Sequence, residues 1–209
     1  MDWSLPYQTR REAVIAKNMV ATSQPLAAQA GIEIIRNGGN AIDAAITTAI
    51  TLSVVEACAN GIGGDAFAIV HDGENIHGIN GSGRSPALLT PESVEGNMPE
   101  IGWMPITVPG QVSVWVALHE RFGSVEFASL FEPAIRYASE GFHVSRQTAN
   151  RWQAGHIRYG HLQSWCDTFL IDGNPPKVGQ LVQLPDHAAT LQEIAKTKGE
   201  SFYRGDLAM

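Results

Sequence analysis

The sequence predicts a layered α/β (α+β) fold, and three observations carry that expectation. A helix-patterned stretch after Asn40, "AIDAAITTAITLSVVEACA", is apolar or small on every face, which marks a helix covered all round. The segment "FAIVHDGENIHGI" reads as two short strands around Asp72-Gly73, a favoured hairpin turn. Further along, runs with helical spacing alternate with Gly and Pro stops. With no internal repeat, low-complexity tract or clear linker, residues 1–209 are expected to form a single domain.

Taken in order, the chain begins with Pro6, Arg10, Arg11 and Glu12 where a secretory peptide needs an unbroken apolar run, so a cytoplasmic location is expected. In "SQPLAAQAGIEIIRNGG", Pro25 suits a first helical position. Leu26, Ala27, Ala30 and Ile34 recur at helical spacing, and Gly38 can take the left-handed stop. Asn40 then caps the next helix, with Asp43 three positions on in the manner of a capping box. Its length permits a membrane crossing, but Asp43, Glu56, Thr47, Thr48, Thr51 and Ser53 point to burial within protein.

The corner "ANGIGGDAF" leads into the hairpin, where Ala66, Ala68 and Val70 line one face and Phe67 and Ile69 the other. Apolar character on both sides predicts a sheet covered on both faces. The segment "GINGSGRSPALLTPESVEGNMPEIGWMPI" is rich in Gly, Pro, Ser and Asn, an irregular surface stretch of the kind that carries binding residues. "VPGQVSVWVALHERFG" has Val112, Val114, Trp115 and Leu118 on one helical stripe and closes at Gly123. "FASLFEPAIRYASEGF" places Pro133 in a first turn and stops at Gly141. The tail helix opens at Asp186, carries Ala189, Leu191 and Ile194, and stops at Gly199, whereas "SWCDTFLIDGNPPKVGQLVQ" shows no regular pattern.

Composition removes several function classes. Fourteen Lys and Arg against 21 Asp and Glu give a net charge of -7 with the basic residues scattered, the opposite of a phosphate-neutralising groove. Cys58 and Cys166 are too few and too far apart for a disulfide framework or zinc knuckle, and are expected as reduced, buried thiols. Gly61, Gly63 and Ala66 spell G-x-G-x-x-A, but a helix precedes and a strand follows, the reverse of what a dinucleotide cradle needs. A glycine corner permitting positive φ and close backbone contact remains. "HERFG" starts like a zinc helix at His119, yet Gly123 stands in the second ligand position, and His156 and His161 have no ligand spacing. There is no G-x-S-x-G elbow. No metal or organic cofactor is therefore expected, and the residues alone describe an α/β domain without visible catalytic machinery.

Five blocks in order, "GGNAIDAA", "GIGGDAF", "TVPGQVSVWVALHERFG", "EPAIRYASEGFHVS" and "GESFYRGDLA", resemble the large-subunit half of the γ-glutamyltransferase family from about Met19 onward. The resemblance implies part of a four-layer αββα N-terminal-nucleophile hydrolase. Such an enzyme is made as a self-cleaving precursor, a zymogen that matures to a heterodimer. Its small subunit presents an N-terminal Thr that attacks a γ-glutamyl or small acyl amide bond, forming an acyl-enzyme. No Thr-x-His motif of that subunit occurs in these residues, so no catalytic residue is assigned here and the chain is expected not to turn over substrate alone.

The family's carboxylate-binding arginine lies in an Asp-Phe-Arg-Glu-x-Ala-Pro-like stretch after the second strand. Aligned on Pro86, "NGSGRSP" puts Ser82 at that position and Arg84 two further on. Ser82 and Arg84 are thus the candidate substrate-binding residues. Arg84 is either a carboxylate fork or an ordinary solvated loop residue. The departure from the pattern resembles the cephalosporin-acylase and oxamate amidohydrolase branch. A non-catalytic scaffold that kept the layered fold is the alternative from another class.

Overall fold

The computed structural model describes residues 13–94 and 96–209, and the expectation resting on Pro6, Arg10, Arg11 and Glu12 lies outside them. Helix α1 (Pro25–Arg36) starts where Gln24 caps the N–H groups of Leu26 and Ala27, and ends before Gly38 at φ +97°. Helix α2 (Ala41–Val55) packs antiparallel to it and forms the axis of the core. The capping box is present as the spacing predicts: Asn40 Oδ1 accepts from Ile42 and Asp43 N–H, and Asp43 Oδ2 accepts from Asn40 N–H.

The same two side chains hold the far end of α3 (Gln111–Phe122). Asn40 Nδ2 donates to the Phe122 carbonyl at 2.6 Å, and the Asp43 carboxylate accepts from Ser124 N–H and Oγ, the latter at 2.6 Å. The Asn40 side chain thereby satisfies an orphan carbonyl at the end of α3 and orphan N–H groups at the start of α2 together. Ile46, Ile50, Val54 and Val55 of α2 are fully buried, while Thr48, Thr51 and Ser53 return their hydroxyls to the α2 backbone. That is how a helix with small polar residues survives burial. It is 15 residues long, and among the described residues no helix is long and apolar enough to cross a membrane.

Helix α4 (Glu132–Glu140) packs on α2, with Pro133 in its first turn and Gly141 as its stop at φ +97°. Between α3 and α4, Phe131 lies edge-on to both Trp115, at 6.0 Å between centroids, and Phe127, at 5.0 Å. Helix α5 (Arg146–Tyr159) is capped by Ser145, and helix α6 (Gln163–Phe169) arises largely in the stretch from Ser164 that showed no regular pattern. Only Thr148, Ala149 and Trp152 of α5 are buried and no residue of α6 is, too few for a legible apolar stripe. Helix α7 (Pro185–Thr197) closes at Lys198 and Gly199, both left-handed, and is followed by the short α8 (Glu200–Arg204).

Strands β1 (Ala66–His71) and β2 (Ile76–Gly81) pair antiparallel around a four-residue turn in which Gly73 takes φ +107°. Strands β3 (Phe142–His143) and β4 (Leu181–Val182) make a second, minimal pair. The first hairpin corrects one expectation. Its Ala66, Ala68, Val70 and Ile79 face lies against α3, but the opposite face is bare, with Phe67, Ile69 and Ile76 exposed by 65%, 83% and 74%. Period-2 alternation identifies an apolar face but not the element that covers it. Two smaller corrections follow. Helix α2 ends at Val55 instead of running to Ala59, and both cysteines are free but half-buried.

Candidate functional site

Close backbone contact places the site. A Cβ on Gly110 would stand 2.0 Å from the Gly81 carbonyl oxygen, and one on Gly81 would stand 2.2 Å from Val114 Cγ2. The end of β2 and the entry to α3 therefore cross at a separation that only glycine permits. At Gly83 the chain turns through φ +78° and then runs beside residues 107–108. Val108 N–H donates to the Arg84 carbonyl at 2.8 Å, and Thr107 Oγ1 donates to the Ser82 carbonyl at 3.0 Å.

These bonds bring Ser82 and Arg84, the two residues singled out from sequence, onto one wall of a cavity of about 450 Å³. Gly110 at the N-cap of α3, Ser113 in its first turn and Tyr203 from α8 line the same cavity. The first turn of α3, with the positive end of its dipole, and Arg84 therefore border the same space. Arg84 is exposed and, among the described residues, forms no ion pair. A forked cation without an ion pair among the described residues, beside a helix N-terminus and two serines, suits a carboxylate.

The conspicuous corner "GIGG" plays a different part from the one expected. None of Gly61, Gly63 and Gly64 has positive φ, and a Cβ on Gly61 would meet nothing within 4 Å. Its contribution is the Gly64 carbonyl, which accepts from Gly110 and Gln111 N–H, each at 3.1 Å. The glycines needed for close approach are Gly81 and Gly110. Sequence reasoning missed them because their contact joins segments some thirty positions apart.

A second cluster, at the other end of the hairpin, has the outline of a catalytic relay without its nucleophile. Arg121 donates to His77 Nδ1 at 2.8 Å, so the neutral ring carries its proton on Nε2 and donates it to Asp72 at 2.7 Å. Asn75 N–H, then His77, then Glu74 N–H hold the Asp72 carboxyl well below the usual carboxylate range. No hydroxyl or thiol is hydrogen-bonded to the ring among the described residues, and the cluster fastens the hairpin turn to α3. His119, the sham zinc residue, donates to the Val125 carbonyl, and His156 stacks on Trp165. Beneath the glycine corner, buried Glu56 accepts from Arg151 at 2.7 Å and from Ser23 and Asn60. Burial, and next the Glu56 charge, push the nearby Cys58 thiol up.

Residues 27–209 match the family model described as gamma-glutamyltranspeptidase. The chain belongs to that family. It superimposes over 99% of its length on cephalosporin acylase from Bacillus halodurans with a TM-score of 0.93 and 48% identity, covering 41% of that chain. It is 32% identical over 205 residues to glutathione hydrolase proenzyme 1 of Schizosaccharomyces pombe, a match spanning 96% of this chain and 32% of the relative. Oxamate amidohydrolase proenzyme of Klebsiella pneumoniae is 33% identical over 205 residues, 93% of this chain and 39% of that protein.

The chain thus spans 32–41% of the length of these relatives. For a gamma-glutamyltranspeptidase family member, the helices and the hairpin are part of the αββα sandwich of N-terminal-nucleophile hydrolases. Two of these relatives are named proenzymes, in keeping with the two-subunit organisation the resemblance implied.

Proposed function

We propose that this chain is the large-subunit wall of an amidohydrolase or acyltransferase that cleaves small acyl amide or γ-glutamyl bonds. The attacking group is the N-terminal threonine of a small subunit derived from the same precursor. Its hydroxyl adds to the substrate carbonyl while its own α-amine takes the proton. Hydrogen-bond donors hold the resulting oxyanion, the amine departs, and the acyl group passes from threonine to water or an amino acid. In this scheme Arg84 grips a carboxylate on the acyl part, and Ser82 borders the same group. Covering Phe67, Ile69 and Ile76 by the small subunit would contribute about 2 kcal/mol per side chain to assembly.

The observation that carries the proposal is the exposed Arg84, without an ion pair among the described residues, lining a cavity beside an uncovered apolar sheet face. Two further observations favour an acyl amide over glutathione: serine stands at Ser82, where the family arginine belongs, and identity to the acylase reaches 48%.

The test gives the complete two-subunit protein a panel of glutaryl, oxamate and γ-glutamyl amides, before and after Arg84→Ala. Losing a charge-assisted bidentate contact should raise KM for the carboxylate-bearing substrate by roughly 10- to 100-fold. Unchanged KM and kcat would remove Arg84 from the site. A complete protein inert toward every amide would leave the scaffold reading.

A further inference from the structure

Helix α3 begins at Gly110, an N-cap with no side chain to offer its first turn. Gly110 and Gln111 N–H turn to the Gly64 carbonyl. Ser113 N–H donates instead to the phenolic oxygen of Tyr203 at 2.9 Å, ninety residues further along the chain. The Tyr203 hydroxyl gives its own proton to the Pro109 carbonyl at 2.7 Å. One oxygen therefore supplies the missing cap of α3 and pins the residue just before it.

The pinned strip, residues 107–109, is the one on which the substrate loop rests. Val108 N–H holds the Arg84 carbonyl and Thr107 Oγ1 holds the Ser82 carbonyl. Tyr203 itself borders the cavity, its ring packed edge-on against Phe202 at 5.1 Å. Because its proton is committed to Pro109, the hydroxyl is not a free acid for the reaction. Nothing else in α8 reaches this strip by a hydrogen bond among the described residues.

We infer that Tyr203 is a positioning residue for carboxylate recognition, setting the place of Arg84 through the 107–109 strip without touching the carboxylate. This rests on the assignment of Arg84 made above, and the two can be separated. In the complete two-subunit protein, wild type, Y203F, R84A and the double variant are compared on a glutaryl anilide and on a neutral butyryl anilide.

Loss of the two hydrogen bonds should raise KM for the glutaryl substrate about 10-fold in Y203F, with kcat within about twofold and the butyryl KM unmoved. In the R84A background the same substitution should add nothing. T107V, which cuts the strip from Ser82 only, should reproduce the pattern in weaker form and stands in if Y203F does not fold. A glutaryl KM that rises in R84A but stays at the wild-type value in Y203F and T107V overturns the role of Tyr203 and leaves Arg84 in place. Equal rises for both substrates in Y203F reduce it to a structural contact and overturn the inference. No response in R84A refutes the Arg84 assignment, and the inference falls with it.

Discussion

Substituting Gly110→Ala tests whether contact between β2 and α3, rather than the eye-catching glycine corner, shapes the site. The added Cβ would stand 2.0 Å from the Gly81 carbonyl oxygen and 2.7 Å from its carbon. Both atoms are backbone, so no rotamer change can relieve them, and β2 or α3 must move by more than an ångström. Overpacking of this kind costs about 2–3 kcal/mol. For a chain of this size that corresponds to roughly 4–12 °C in Tm. The control is Gly61→Ala, where the new methyl meets nothing within 4 Å and φ lies outside the left-handed region. There the stiffer unfolded chain should leave stability unchanged or raise it by about 0.5 kcal/mol. Thermal unfolding of the purified chain, followed by circular dichroism, reads both. Equal Tm values for the two variants would refute the reasoning, because they would mean that the crossing is not in contact.

Two further outcomes follow from buried polar groups. Asp43→Ala removes the N3 arm of the α2 capping box, orphaning Asn40 N–H together with Ser124 N–H and Oγ, and should cost about 2–4 kcal/mol in urea unfolding, with Asp43→Asn recovering part of it. A loss below about 0.5 kcal/mol for D43A would contradict the shared cap, since exposed substitutions alone account for that much. Because burial and the Glu56 charge raise the Cys58 pKa, its thiolate should form at higher pH than that of a solvated thiol. Its alkylation by iodoacetamide should then lag that of the urea-unfolded chain at pH 8 and rise toward it with increasing pH, as followed by peptide mass spectrometry. Equal rates in the folded and unfolded chain at pH 8 would show that Cys58 is not shielded.

Much of the scaffold was legible in the sequence because it is written locally. Asn40 and Asp43 sit three residues apart, as a capping box requires, and Pro25, Pro133, Gly38 and Gly141 mark helix ends by backbone constraint alone. Ser82 and Arg84 were reached only through the family resemblance, by alignment on Pro86, and both border the cavity. Helices α5 and α6 were not legible, since so few of their residues are buried that their apolar pattern is faint.

The sequence by itself determined the α2 capping box, the two strands of the hairpin and the family, since each depends on residues close together in the chain or on their order. Only the tertiary structure decided that Phe67, Ile69 and Ile76 stand uncovered, that Gly81 and Gly110 rather than Gly61 and Gly63 are the points of contact, and that Tyr203 caps a helix ninety residues upstream. These are relations between surfaces brought together by folding. A spacing rule reads distance along the chain, whereas packing and hydrogen bonding act across space.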